Sequence, residues 1–180
     1  GQAFKFDGVN DYVTMGDVLD ITDTSVPLTI SAWVKKNDVS GIEQVVSKQD
    51  FNAPYNGYGL YFNDTNLKFD LIKSVSADAL ITGASGFNAS TIRGKWAFIA
   101  VIYSGSKAYT GVKFYVNGTA YNGTLETNTL STADISSSLP FEIGGRNGTT
   151  YPFYGQIDEV RIYNRALSAT EIQRLYNLGR

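Results

Sequence analysis

Three aspartates and two aromatic loops hold the side chains of this sequence best suited to chemistry. Asp158 lies in the run Gln156–Tyr163, where alternation puts it on one strand face with Val160 and Ile162, opposite Glu159, Arg161 and Tyr163. An ionised carboxylate on an apolar face needs a cation or a set of hydrogen bonds, because burying it unpaired is too costly. Asp7 opens an Asp-Gly turn and Asp11 is in phase with Val13 and Met15, so each can aim a carboxylate inward at a strand end. Carboxylates, backbone carbonyls and water are the oxygen donors that calcium takes. A second reading stays open: Asp7 and Asp11 cap a tight turn through side-chain to backbone bonds, while Asp158 pairs with Lys5, Arg161 or another cation.

The aromatic loops suggest different chemistry. Sugars present apolar CH faces and many hydroxyls, so their sites combine aromatic planes with polar hydrogen-bonders in a groove. The stretches Asp50–Asn56 and Arg146–Tyr154 have that composition, and Tyr55, Asn56, Arg146, Asn147 and Tyr151 are the candidate ligand contacts. On the strands, Trp33, Tyr115 and Tyr163 fall opposite the aliphatic faces and could floor a concave surface. Against this, loop aromatics commonly tuck onto a sandwich rim and strand aromatics pair across strands.

Composition removes other chemistries. The chain has no cysteine and no histidine, which excludes disulfide scaffolds, thiol nucleophiles, zinc-finger ligand sets and histidine-based triads. A net charge of -2 with no basic run argues against nucleic acid as a partner, since that needs a clustered cationic face. The longest apolar runs, such as Ala97 to Tyr103, are too short for membrane insertion.

The elements that must position these residues are short alternating runs separated by Gly, Asn, Asp and Ser, the pattern of an antiparallel sandwich. Expected strands are Ala3–Phe6, Tyr12–Met15, Leu28–Lys35, Gln44–Lys48, Tyr58–Asn63, Asn66–Ile72, Trp96–Tyr103, Val112–Asn117, Thr119–Tyr121, Phe141–Ile143 and Ile157–Tyr163. Asn117-Gly118 supplies the paired positive-φ residues of a two-residue hairpin. Residues 126–139, rich in Ser and Thr, read as a long surface loop. Ser168-Ala169-Thr170-Glu171 fits a capping box, and Ile172, Leu175 and Tyr176 form a helical stripe ending near Gly179. At 180 residues the chain is expected to be one domain, 1–180.

Several motifs together resemble the LamG-like, concanavalin A-like jelly-roll family. Phe6-Asp7-Gly8-Val9-Asn10-Asp11-Tyr12-Val13 is similar to its opening motif, and Gly155 to Ser168 to its closing one. Between them Thr29–Val34, Gly57–Leu60, Gly94–Trp96, Val112–Gly118 and Ile143–Gly145 follow the family's order. The chain departs from it at Trp96-Ala97-Phe98, where members often carry a histidine. The resemblance implies an all-β, two-sheet antiparallel jelly-roll sandwich with one short C-terminal helix. It also implies that the opening and closing strands are neighbours, so that Asp7, helped by carbonyls near Gly8, and Asp158 share a structural calcium. By the same resemblance the chain is expected to be a non-catalytic, lectin-like module of a larger extracellular or cell-surface protein. Its partner would be a glycan or cell-surface polysaccharide, with protein–protein adhesion as the alternative. A glycoside hydrolase or lyase ranks behind both, because the Glu-x-Asp-x-x-Glu pattern of laminarinase-like relatives is absent and only a distant pair such as Glu43 with Glu142 would supply two acids.

Overall fold

The computed structural model describes residues 2–38, 40–132 and 134–179. Its strands are β1 (Phe4–Asp7), β2 (Val13–Thr14), β3 (Leu28–Lys36), β4 (Ile42–Gln49), β5 (Gly57–Asn63), β6 (Asn66–Ser74), β7 (Asp78–Gly83), β8 (Trp96–Tyr103), β9 (Val112–Val116), β10 (Thr119–Asn122), β11 (Thr127–Asn128), β12 (Glu142–Ile143) and β13 (Tyr154–Tyr163), followed by helix α1 (Ala169–Leu178). They form two antiparallel sheets. The back sheet has the order β1-β13-β3-β8-β9-β10, and the front sheet has the order β11-β7-β6-β5-β4-β12-β2. The architecture is the antiparallel sandwich that the alternating runs predicted and the jelly roll that the family resemblance implied.

Alternation explains how the core is filled. Ile30, Ala32 and Val34 of β3, Ile99 and Val101 of β8, and Leu60, Phe62, Leu67 and Phe69 of β5 and β6 pack between the sheets with almost no exposure. Asn117 and Gly118 take φ of 51° and 82° and join β9 to β10, as that dipeptide predicts. The Asn117 carboxamide oxygen also accepts a bond from the Phe98 N–H at 2.9 Å. Strand β7 was not anticipated from sequence. Its register against β6 pairs Leu80 with Leu71, and its short length and neighbouring Gly and Ser residues mask the period. Among its described residues, the expected loop at 126–139 contributes the two residues of β11 to the sheet.

The closing strand departs from simple alternation. Ile157 pairs with Val34 and Asp158 with Trp33, but the next regular pair is Arg161 with Ser31, so two residues of β13 oppose Ala32 alone. This is a β-bulge, with Glu159 at φ 51°. The extra residue reverses the phase. Ile157, Val160 and Ile162 face the core, whereas Asp158 shares the outer face of the back sheet with Trp33. Asp158 is therefore not on the apolar face with Val160 and Ile162, because the two-residue period breaks between them.

Helix α1 lies across that outer face. Ser168 Oγ accepts from the Glu171 N–H, and the Glu171 carboxylate accepts from the Ser168 N–H, so the capping box forms. Hydrogen bonding from Arg165 and Ser168 holds the Glu171 carboxyl down to about 2. Ile172, Leu175 and Tyr176 dock on Phe98, Ala100, Ile102 and Tyr115. The Thr29 hydroxyl anchors the approach, donating to Arg165 O at 2.8 Å and accepting from the Leu167 N–H at 3.0 Å. Trp33, Tyr115 and Tyr163 consequently pack beneath or beside the helix, and the helix covers much of the face that they were expected to floor. We expect Ser168→Ala to lower stability by about 1 kcal/mol, the usual cost of losing such a cap, measurable as a shift in the urea midpoint.

Candidate functional site

The front sheet carries the candidate site on the face away from the core. Cross-strand register puts Asp70, Gly59, Ser47 and Glu142 in one row, flanked by Tyr61 with Gln44 and by Gly57 with Gln49. These positions lie opposite Leu60, Phe62 and Phe69, so alternation would expose them to solvent. Instead Gln44, Ser47, Gln49, Asp70 and Glu142 are each at most 4% exposed. The loops at 50–56 and 146–151 fold over them. The Gln44 N–H donates to Tyr151 O at 3.0 Å, and the Asp50 N–H to Asn56 O at 2.9 Å, tying both loops to this end of the sheet.

Four of the five loop residues singled out from sequence make contacts at this cover. The Arg146 guanidinium lies 5.4 Å from the Tyr55 ring centroid and 5.8 Å from that of Tyr151, a geometry in which ring quadrupoles attract the cation. Its Nε donates to Asp50 O at 3.0 Å, and Nη2 donates to the same carbonyl. Phe51 meets Tyr151 edge to face at 6.1 Å. Asn56 Nδ2 donates to Ser136 O at 2.8 Å. The Asn147 side chain is the exception: the residue is exposed, at φ 48°, on the tip of the turn. Beside it the Gly148 N–H donates to both Glu142 carboxylate oxygens at 3.0 Å. Burial raises the Glu142 carboxyl while the N–H groups of Gly148 and Asn147 pull it back. Tyr55 and Tyr151 both have positive φ, 65° and 52°, a backbone state that bulky residues keep only where surrounding structure enforces it, most often at binding sites.

Beneath this cover lies a floor of polar groups with unusual hydrogen-bonding status. Both side-chain heteroatoms of Gln44 and of Gln49, Ser47 Oγ, Asn56 Oδ1 and Asp70 Oδ1 are buried without a hydrogen-bond partner. Gln49 stands beside Asp70 but outside hydrogen-bond geometry. Gly59 makes room among them: a Cβ there would sit 3.2 Å from Gln44 Oε1 and 3.4 Å from Asp70 Oδ1. Burial pushes the Asp70 carboxyl up to about 6, with Arg146 acting in the opposite sense. Burial and then the Asp70 charge raise the Tyr61 phenol as well. Folded proteins rarely leave buried polar atoms unpaired, and a concentration of them marks a place where water or a ligand completes the bonding.

The three aspartates proposed for calcium are not brought together. Asp7 pairs with Tyr154 at one end of β1, whereas Asp158 lies four residues further along β13, about 13 Å away at the rise of an extended strand. β1 and β13 are neighbours as expected, but their register separates the two carboxylates. Asp7 Oδ1 accepts from the N–H groups of Val9 at 2.8 Å and Asn10 at 3.3 Å, and Asp11 Oδ2 accepts from the Asp7 N–H at 2.9 Å. This is the turn-capping arrangement. Asp158 Oδ1 accepts from the Glu159 N–H at 2.8 Å, and Arg161 pairs with Glu159. Among the described residues no group of three or more acidic side chains is placed to hold a metal ion. The residues present thus do not fit one shared calcium.

Glu43 and Glu142 do not form an acid pair. Glu43 points to the inner side of β4, where it pairs with Lys36 and accepts from the Tyr154 N–H at 2.9 Å, while Glu142 belongs to the outer row with Ser47.

Two antiparallel sheets in a sandwich with one C-terminal helix define the class of jelly-roll domains. The chain belongs to the concanavalin A-like lectin/glucanases superfamily, whose Laminin_G_3 family model matches residues 7–173. Among solved structures it is similar to the CBM40 domain of the Ruminococcus gnavus IT-sialidase bound to α2,6-sialyllactose. That likeness has a TM-score of 0.65 at 18% identity and covers 93% of this chain and 96% of that one. It is also similar to the binding domain of botulinum neurotoxin serotype G, with a TM-score of 0.67 at 16% identity, over 97% of this chain and 42% of that one. A stretch of 100 residues is 31% identical to the BEACH domain-containing protein B of Arabidopsis thaliana, covering 47% of this chain and 4% of that protein. The chain thus spans a small part of that curated relative. No helix among the described residues is long and apolar enough to cross a membrane.

Proposed function

We propose that the protein is a non-catalytic, lectin-like module of an extracellular or cell-surface protein, and that it binds glycans at the front sheet. The observation that carries this reading is the pairing of Tyr55 and Tyr151 around Arg146, above a row of buried polar side chains, Gln44, Ser47, Gln49 and Asp70. Aromatic planes take the CH faces of a sugar, and amide, hydroxyl and carboxylate groups take its hydroxyls. The solved CBM40 relatives bound to α2,3- and α2,6-sialyllactose support a glycan as the ligand class. A non-catalytic role agrees with the opposed directions of Glu43 and Glu142, since glycoside hydrolysis needs two carboxyl groups flanking one bond.

A glycan array that includes both sialyllactoses and neutral oligosaccharides tests the proposal. Tyr55→Ala and Tyr151→Ala are each expected to weaken every hit by roughly tenfold or more, as loss of a buried aromatic contact does. An array with no hit for the wild-type chain would favour the protein–protein adhesion reading. Calcium is carried only on narrower ground, at the Asp7–Asp11 turn, whose carboxylates and carbonyls are oxygen donors of the right type. There the expected result is a higher Tm in millimolar calcium than in chelator, abolished by Asp11→Asn. Identical melting in both conditions discards the ion.

A further inference from the structure

A second cleft, of about 700 Å³, opens on the outer face of the back sheet, between the end of α1 and strands β3, β8 and β13. The chain has two tryptophans and both line it. Trp33 belongs to a packed floor, stacked on Tyr176 at 5.8 Å and 24° and meeting Phe98 edge-on at 5.8 Å. Trp96 stands at its side, 40% exposed.

The polar wall comes from the β13 bulge. By reversing the strand's phase, the bulge turns Asp158 out of the core and beside Trp33, with Glu159 and Arg161 next to it and Asn117 also lining the cleft. Bulges next to binding sites re-aim side chains in this way, and Glu159 keeps a positive φ to do so. The polar groups are already oriented, since the Glu159 N–H donates to Asp158 Oδ1 and Arg161 pairs with Glu159. Aromatic surface beside carboxylate and amide groups, in a cleft of ring size or larger, matches the two-sided chemistry of a pyranose.

We propose that this cleft is a second saccharide site, which takes an uncharged pyranose with its CH face on the Trp96 indole and its hydroxyls on Asp158 and Asn117. Among the described lining residues, the carboxylates of Asp158 and Glu159 outnumber the one guanidinium, that of Arg161, which disfavours an acidic sugar here. The site goes beyond the front-sheet reading and stands without it, because it shares no residue with the Tyr55–Arg146–Tyr151 cover.

The two indole N–H signals in a ¹⁵N NMR spectrum report on this cleft alone, since no tryptophan lies at the front site. The titrants are glucose, galactose, N-acetylglucosamine and lactose, with α2,3-sialyllactose as the acidic comparison. We expect at least one neutral sugar to shift the Trp96 indole saturably. The shift should survive Tyr151→Ala, disappear in Trp96→Ala, and need roughly tenfold more sugar in Asp158→Ala. An unmoved Trp33 signal in Trp96→Ala and Asp158→Ala shows that the fold is intact. Silence of both indoles with all four neutral sugars, or a shift abolished by Tyr151→Ala, overturns the proposal. Silence leaves the front-sheet reading untouched, whereas dependence on Tyr151 would place the sugar at the front sheet instead.

Discussion

Asp70→Asn is expected to stabilise the protein at pH 7 while weakening its glycan binding. In the fold the Asp70 carboxyl is pushed up to about 6 by burial, against about 3.9 in an unfolded chain. The native state therefore holds this proton more tightly than the unfolded state does. Its contribution to stability is complete below about pH 4 and is lost as pH rises through about 6. Two pH units correspond to about 3 kcal/mol, an upper figure for the gain, because asparagine must itself find partners at the floor. In urea unfolding of the two proteins from pH 4 to 8, the advantage of the variant should grow up to about pH 6 and then level off. A constant difference, or a wild-type protein that is the more stable at pH 7, would refute the assignment. Arg146→Ala removes the cation that opposes the shift and should move the transition to higher pH. A buried carboxylate that costs stability and lacks a full set of partners is expected where function requires it.

Glu43→Ala should be the most destabilising of the substitutions considered, by about 3–5 kcal/mol. Lys36 of the back sheet and Glu43 of the front sheet form an ion pair in which the lysine is fully buried, so the pair links the two layers. Burial draws the Lys36 ammonium down to about 8, with Asp38 and Asp64 acting against the shift, and its Nζ lies 5.3 Å from the Phe62 ring centroid. Removing the carboxylate strands the cation in that apolar setting and also frees the Tyr154 N–H that Glu43 accepts from. Chemical denaturation checks the magnitude. The double variant Lys36→Met with Glu43→Leu should recover most of the loss, because replacing both charges removes their desolvation cost. If the double variant is as unstable as Glu43→Ala, the buried charge is not the cause.

The elements governed by short-range rules were legible in the sequence. Alternation gave β3, β8 and β9, Asn117-Gly118 gave a hairpin, and Ser168 with Glu171 gave the helix start. The bulge at Glu159 was not legible, because an inserted residue leaves composition unchanged and reveals itself only through the register with Ser31 and Trp33. That one residue misdirected the reading of Asp158. The covering loops were recognisable by their Tyr, Arg and Asn content, and the structure does set Tyr55, Arg146 and Tyr151 in contact. Their floor went unread for a different reason. Gln44, Ser47 and Gln49 occupy positions that alternation assigns to solvent, and only loops distant in sequence bury them. Asp70, a lone acid between Phe69 and Leu71, was the one sequence signal for that floor.

Crystals of the chain soaked with the strongest glycan from the array provide the most direct test of the front-sheet site. The predicted result is a sugar ring against Tyr55 or Tyr151, with hydroxyls reaching Gln44, Gln49 or Asp70. A bound glycan that leaves the Tyr55–Arg146–Tyr151 cover and the floor untouched would contradict the assignment of this face as the binding site.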